Sequence, residues 1–409
     1  MTTMRRRWPV RLAALLAVLL VAVGTLAARQ TPAPLLILIS FDGWRWDYTD
    51  RAAVPNLKAL AARGVRSSGL IASFPTLTFP NHYTIVTGLT PDHHGIVGNG
   101  MFDPSISSEK FTMSAPISRD PRWWGGEPVW TTAIRQGRKS ASMFWPGSEA
   151  VHPTHWKPFE NRLPNADRVA QVLTWLKLPA AERPAFITLY FSDTDSAGHS
   201  SGPNSPVVLE AAQRLDEALG TLVAGITELG LIDQTTIVIV SDHGMVETSA
   251  ERAILVDDYV SLDEITIVES GASLMVNPRG SLTVEALYAK LAGKHRALSV
   301  YRRESVPAGL QFGKNPRVPA IVGVVEPGWY VTTRDAASRM RSRGGAHGYD
   351  PRTRDMHGLF VAAGPSLRRG LQAPELSNLH LYEFMCRILQ LRPARNDGEP
   401  AVTASYFAR

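Results

Sequence analysis

Leu35-Leu-Ile-Leu-Ile-Ser40 runs almost unbroken in apolar side chains and ends in Phe41-Asp42-Gly43. A strand with one wet face alternates; a run without alternation is the pattern of a strand covered on both faces, as in a parallel sheet. Helical spacing follows over 55–63 (Leu57, Leu60, Ala61) and stops at Gly64. The rhythm then repeats, with strands predicted at 140–145, 185–191 and 235–241 and helices at 166–178 and 207–229. Strand and helix in alternation predict a layered α/β domain with helices on both faces of the sheet. Between Met245 and Gly344 the pattern changes. Strands are expected at 254–260, 265–276 and 320–325 with one helix near 282–291, which predicts a small β-rich subdomain inserted over 245–344. Residues 358–364 return to the core, and 376–391 read as a closing helix.

The 409 residues are 44% hydrophobic and 20% charged, which excludes disordered, collagenous and coiled-coil chains. One cysteine, Cys386, forms no internal disulfide and supplies no cysteine-based zinc cluster. Any metal must therefore be held by His, Asp, Glu or hydroxyl groups. The net charge of +6 suggests a polyanion partner until its source is located. Arg5, Arg6, Arg7 and Arg11 lie in residues 1–28, which hold no acid, so the rest is close to balance and no nucleic-acid polymer is expected. That leader has a basic start, an apolar run from Leu12 to Val23 and small residues before Arg29. This is the layout of a signal peptide over 1–28, leaving 29–409 as the catalytic domain. An uncleaved membrane anchor is the alternative. Either predicts export, to the periplasm or outside the cell, with no stable membrane partner for the body of the chain.

Chemistry-bearing residues collect where the predicted strands finish. The first ends in Ser40-Phe41-Asp42-Gly43, another in Ser192-Asp-Thr-Asp195-Ser-Ala-Gly-His199, a third in Ser241-Asp242-His243-Gly244. A fourth group, Gly345-Ala-His347-Gly-Tyr-Asp350, precedes the last core strand. Open α/β sheets build their sites at the carboxyl ends of strands. Taken singly, each Asp reads equally as a turn former or helix cap. Together, Asp and His from four segments suit zinc or another first-row divalent ion, and six ligands serve two ions better than one. Phe74-Pro-Thr-Leu-Thr78-Phe-Pro-Asn-His82 leads into a helix expected at 83–88, with Pro80 fixing its start. A Thr there faces unpaired backbone N–H groups, a seat for phosphate, and a divalent cation would activate its hydroxyl. From position alone, Thr78 serves as well as a helix cap.

As a set, Phe74–His82, Thr87-Gly-Leu-Thr-Pro-Asp-His-His-Gly-Ile96, Asp195 with His199, Ser241–Gly244 and Gly345–Asp350 resemble the nucleotide pyrophosphatase/phosphodiesterase family of the alkaline phosphatase superfamily. The likeness spans the chain after the leader. It implies an alkaline-phosphatase-like fold and a two-zinc phosphodiesterase. Asp195, His199 and His347 would hold one zinc; Asp42, Thr78, Asp242 and His243 the other. Thr78, directly before Phe79-Pro80-Asn81, would be the nucleophile in place of Thr76. Asn99 would donate to a phosphate oxygen, and Phe79 and Tyr190 would border the base. Asp193 departs from the Glu that many members carry. Phe111 is a further candidate for stacking, with a core role as its alternative. His82, His93, His94 and His357 read as structural.

The implied reaction releases nucleoside 5′-monophosphates through a phosphothreonine. Two zinc ions against three carboxylates leave one positive charge, cancelled when Thr78 ionises, which suits a diester monoanion better than a monoester. No arginine lies between Phe74 and Arg119 to alter that balance. A sulfatase would need a Cys or Ser in a Cys/Ser-x-Pro-x-Arg setting, which Cys386 lacks, and the monoester enzymes of the superfamily use Ser. A choline- or lysophospholipid-type phosphodiesterase remains an alternative of the same family. A non-catalytic, metal-stabilised nucleotide binder is the non-enzyme alternative.

Overall fold

The opening apolar run forms β1 (Leu35–Phe41), buried along its whole length in a computed structural model that describes residues 33–340 and 342–408. The leader expected at 1–28 lies outside those residues. Core strands follow as β2 (Val65–Ser67), β3 (Ser140–Met143), β4 (His155–Lys157), β5 (Phe186–Phe191) and β6 (Thr235–Val240). A second sheet holds β7 (Ile265–Glu269), β8 (Ser273–Pro278), β9 (Leu298–Arg302) and β10 (Ile321–Val325), before β11 (Phe360–Ala363) and β12 (Leu371–Ala373) rejoin the first. The main sheet has the order β12-β2-β11-β6-β1-β5-β3-β4. It is mixed: β11 runs antiparallel to both β6 and β2, while β1 is parallel to β5 and β6.

The principal helices are α1 (Pro55–Ala62), α2 (Thr78–Thr87), α3 (Val129–Arg135), α4 (Asn165–Leu176), α5 (Asp193–Ser201), α6 (Pro206–Glu228), α7 (Val284–Leu291) and α8 (Leu381–Leu389). Side chains alternate across a strand, so each central strand feeds two cores. Leu36, Leu38, Val238 and Val240 pack with α2, α3 and α8. Ile37, Ile39, Ile187 and Ile239 pack with α1, α4 and α6 on the opposite face. Each such buried side chain contributes about 1.5–3 kcal/mol. This is the layered α/β arrangement expected from the sequence.

Three expected elements differ. The single strand at 265–276 is a hairpin of β7 and β8, because the chain reverses at Gly271 (φ +126°), a conformation other residues rarely adopt. The strand at 254–260 shortens to Ala253–Leu255 and continues as a 3₁₀ turn. The closing helix at 376–391 begins only at Leu381, after a short strand and a 3₁₀ turn capped by the Ser377 hydroxyl. Within the second sheet, Leu274, Val276, Leu287, Leu291 and Ile321 share a core with Ala346 and Tyr349, the residues either side of His347 and Gly348.

Register sets the site. Ser40 pairs with both Tyr190 on β5 and Val240 on β6, so the three strands finish at one level. Asp42, the start of α5 and the Asp242-His243 pair therefore emerge side by side.

Candidate active site

Seven side chains converge, five from these strand ends, with Thr78 from α2 and His347 from a short strand at 344–346. Asp195 and His199 lie one turn apart on α5, with Oδ1 and Nε2 3.3 Å apart; His347 Nε2 is 3.1 Å from His199 Nε2 and 3.7 Å from Asp195 Oδ1. His347 arrives on a short antiparallel pair between Val246–Thr248 and Gly344–Ala346. A side chain at Gly345 would meet the Gly198 carbonyl at 2.6 Å, so only glycine lets this strand come so close to α5. Beside this group, His243 Nε2 is 3.0 Å from Asp242 Oδ2, 3.5 Å from Asp42 Oδ1 and 3.4 Å from Thr78 Oγ1. Gly43 (φ +66°) turns its N–H onto Asp242 Oδ1 at 3.2 Å, and a Cβ there would meet Asp195 Cα at 2.8 Å.

The hydrogen bonding around this cluster fits it for cations. A carbonyl oxygen only accepts, so each ring nitrogen against one must carry the proton. His199 Nδ1–H donates to Gly345 O at 2.8 Å, His243 Nδ1–H to Gly244 O at 2.9 Å and His347 Nδ1–H to Thr76 O at 2.9 Å. All three neutral rings then present an Nε2 lone pair inward, the orientation metal-binding histidines take. Facing them are Asp42 Oδ1, Asp195 Oδ1 and Asp242 Oδ2, buried and without a hydrogen-bond partner among the described residues. Lone pairs opposed at such distances repel unless a positive charge lies between. Two atoms bound to one zinc at about 2.0–2.1 Å in a tetrahedron stand roughly 3.3 Å apart, in the range seen here. Asp195 with His199 and His347, and Asp42 with Asp195 and His243, form groups within 4.8 Å that could hold an ion.

The charges depend on one another. Burial and the neighbouring Asp242 and Asp195 push the Asp42 carboxyl well above the usual carboxylate range, as three clustered acids require. Burial also opposes ionisation of Asp242 and Asp195, yet His243 and His82 hold the first well below that range, and His199 holds the second below it. In return His199 and His243 are raised above the ordinary imidazole value despite their burial. His347 is pushed down to about 3 by burial and by His243.

Thr78 is the first residue of α2, preceded by an extended Leu77. The helix thus begins five residues earlier than expected, and Thr78 does not cap it; its side chain faces His243 at the positive end of the helix. Asn99 Oδ1 accepts the Phe79 N–H at 3.0 Å, which leaves the amide nitrogen of Asn99 as a donor beside Thr78. His82 also comes within ligand distance of Asp242 (3.3 Å), but both its nitrogens are engaged, Nε2 with Ser40 Oγ at 2.7 Å and Nδ1 with Thr78 O at 2.9 Å. His94 is buried between Thr84 Oγ1 and the Ile96 N–H, and His93 pairs with Asp397.

Residues 36–350 match the model of the type I phosphodiesterase/nucleotide pyrophosphatase family. The chain belongs to that family. It is 35% identical to ectonucleotide pyrophosphatase/phosphodiesterase family member 3 of Rattus norvegicus over 380 residues, 89% of this chain and 43% of that protein. It is likewise 35% identical to a venom phosphodiesterase of Crotalus durissus collilineatus over 376 residues, 89% of this chain and 45% of that protein. The chain thus spans under half the length of these curated relatives. Murine ectonucleotide pyrophosphatase/phosphodiesterase 5, solved as an inactive threonine-to-alanine variant with AMP, superposes with a TM-score of 0.87 at 30% identity. That match covers 92% of this chain and all of the murine one.

In this family member a cavity of about 470 Å³ opens beside Asp42, Thr78 and Asp195. Its walls include Phe79, Trp124, Phe144, Tyr190 and Phe159. One of the stacking candidates needs correction, while Tyr190 lines the cavity. Phe111 is fully buried, does not line the cavity and backs Phe79 edge-on at 6.2 Å, packed against Trp123 and Trp124. Tyr190 is 9% exposed and shows the cavity only part of its ring; its O–H donates to Asp42 Oδ2 at 2.6 Å, so it orients a carboxylate. The sequence reading missed Phe159, which is 50% exposed on the cavity wall, and Glu149, whose Oε1 accepts the Phe159 N–H at 2.7 Å. Phe159, which with Trp156 breaks the otherwise polar stretch His152–Asn161, was the available signal. Arg119 also reaches the cavity, where Glu149 pairs with it at 2.7 Å.

Proposed function

We propose that this chain is an exported two-zinc phosphodiesterase/pyrophosphatase that cleaves nucleotide diesters or pyrophosphates to nucleoside 5′-monophosphates through a phosphothreonine at Thr78. The observation that carries the reading is the inward orientation of three Nε2 lone pairs and three unpartnered carboxylate oxygens beside a threonine on a helix N-terminus. Asp195, His199 and His347 would hold one ion; Asp42, Asp242, His243 and Thr78 the other. When bound, the ions would supply Lewis acidity at the threonine and at the leaving oxygen.

The chain's own groups account for the remaining steps. Thr78 gives up its hydroxyl proton to solvent and its Oγ bonds to phosphorus as the opposite P–O bond breaks; the leaving group departs with that electron pair and takes a proton from solvent. The first-turn dipole of α2 and the Asn99 amide steady the charge gathering on the non-bridging oxygens. Tyr190 keeps Asp42 aimed at the centre, and His82 Nδ1–H holds the Thr78 carbonyl. Water then attacks the phosphothreonine, freeing Thr78 and the nucleoside monophosphate.

Two features support a diester of a nucleotide. Glu149 neutralises Arg119, and among the described residues no other Lys or Arg lines the cavity, so no surplus cation there awaits a dianion. The exposed Phe159 and half-buried Phe79 offer aromatic faces for a base. Murine family member 5 was solved with AMP as an inactive threonine-to-alanine variant. Relatives named ecto-enzymes and venom enzymes agree with export, and among the described residues no helix is long and apolar enough to cross a membrane. The test is hydrolysis by zinc-loaded protein of bis-(4-nitrophenyl) phosphate, 4-nitrophenyl phosphate, ATP, NAD and glycerophosphocholine. Faster turnover of the first than the second, with AMP formed from ATP and NAD, is expected. A monoester preference, or glycerophosphocholine as the best substrate, would overturn the assignment.

A further inference from the structure

Arg168, on α4, is 2% exposed and forms no ion pair among the described residues. Its guanidinium donates to three backbone carbonyls: Leu163 O at 3.0 Å, Asn161 O at 3.1 Å and Tyr190 O at 3.0 Å. Asp193 lies near enough to favour its charge but makes no ion pair with it, and a cation buried without such a pair is costly; an apolar side chain of similar size would fill the same space more cheaply. The three carbonyls belong to two segments that meet at the cavity. Asn161 and Leu163 follow Phe159 in its loop, and Tyr190 is the penultimate residue of β5, with its phenol on Asp42.

The guanidinium also lies 5.1 Å from the Phe144 ring centre. Phe144 has φ +63°, a left-handed conformation rare for a bulky residue, and it lines the cavity. Its ring meets Phe159 edge-on at 5.2 Å, and Phe159 meets Tyr190 edge-on at 6.1 Å. Phe159 is half exposed and so has few packing partners to fix it. Its placement depends on the Glu149 carboxylate at its own N–H, on Phe144, and on the carbonyls of the next turn that Arg168 holds.

We propose that Arg168 is a positioning residue that holds Phe144 and the Phe159 loop as a preformed aromatic wall, and so sets the preference for phosphodiesters carrying a planar base. The proposal rests on the nucleotide-diesterase reading above. Arg168 touches no reacting atom. Its effect belongs in substrate affinity, because a wall already in place spares the ordering of a loop at each binding event.

The experiment compares zinc-loaded wild type, Arg168→Met, Arg168→Lys, Phe159→Ala and the Arg168→Met/Phe159→Ala double variant. The substrates are thymidine 5′-(4-nitrophenyl phosphate) and methyl 4-nitrophenyl phosphate, which share a leaving group and differ in the base. Arg168→Met is expected to raise KM for the thymidine ester about tenfold, the scale of one lost base stack, with kcat within about twofold. The methyl ester should be turned over as by wild type, and Arg168→Met should add little to Phe159→Ala. Equal losses on both esters, or multiplicative losses in the double variant, would show a merely structural arginine and overturn the proposal. Should Arg168→Met not fold, Arg168→Lys decides on the same readouts, since an ammonium keeps the charge but cannot span three carbonyls. A wild type indifferent to the base would defeat the nucleotide reading itself. A wild type whose preference is lost in Phe159→Ala but kept in both Arg168 variants would defeat this proposal alone.

Discussion

The candidate metal centre and the aromatic cavity touch each other but are built in opposite ways. Asp42, Asp195, Asp242 and His243 sit within a few residues of three adjacent strands whose register is fixed by hydrogen bonds, and backbone carbonyls orient the histidines. The far cavity wall is made of loops: Phe144, Glu149 and Phe159 lie outside strands and helices, and their positions come from side-chain bonds and ring contacts. Rigid strand ends suit chemistry that fails with a small misplacement, whereas loops vary at little cost to the fold. Changes at the first region should therefore damage turnover, and changes at the second should alter substrate choice.

The largest expected effect is Thr78→Ala, which should lower kcat by at least about 10⁴-fold while zinc content and substrate binding persist. Near-normal turnover in a single-turnover assay would contradict the role given to Thr78. Asn99→Ala should lower kcat about 10²–10³-fold, the usual loss when one donor to developing charge is removed. A change confined to KM would place Asn99 with the cavity instead of the centre. Phe159→Ala should raise KM for the thymidine ester about tenfold and leave kcat much less affected, the reverse partition.

A pH titration sharpens the same contrast. His199 and His243, raised by Asp195 and Asp242, keep a proton on the metal-free protein above the usual 6.5. That proton must leave before Nε2 can bind a cation, so zinc affinity should strengthen as pH rises through those values and level off beyond them. The dependence should be roughly one decade per pH unit for each titrating histidine. His347, near 3, adds nothing at neutral pH. Competition with a chelator across pH measures this, and a flat profile near neutrality would contradict the raising of His199 and His243. The smallest effect expected is for Tyr190→Phe, which removes one hydrogen bond to Asp42 and should cost about 0.5–1.5 kcal/mol in zinc affinity, read by the same competition.

The contrast between the regions also explains what the sequence revealed. Buried strands such as β1, β5 and β6 must be apolar on both faces, and polar residues then mark their ends, so Asp42, Asp195 and Asp242 stood out by position. His347 was legible through the likeness of Gly345–Asp350 to a family motif, since nothing local says that a strand 146 residues beyond His199 returns beside α5. Phe159 and Arg168 carried no comparable signal. A phenylalanine in a polar loop and an arginine on an amphipathic helix look ordinary until the fold places one on a cavity wall and the other behind it. Phe111 failed for the converse reason: aromatic character shows that a ring is present, but its exposure depends on packing by Trp123 and Trp124.

Anomalous diffraction at the zinc edge, on crystals of chelated protein soaked with stoichiometric zinc, addresses the central claim directly. The account predicts one peak bonded at about 2.0–2.1 Å by Asp195, His199 and His347, and a second bonded by Asp42, Asp242 and His243 with Thr78 beside it. Zinc bound elsewhere, with these Nε2 and carboxylate atoms left unligated in a protein that still turns over a diester, would contradict it.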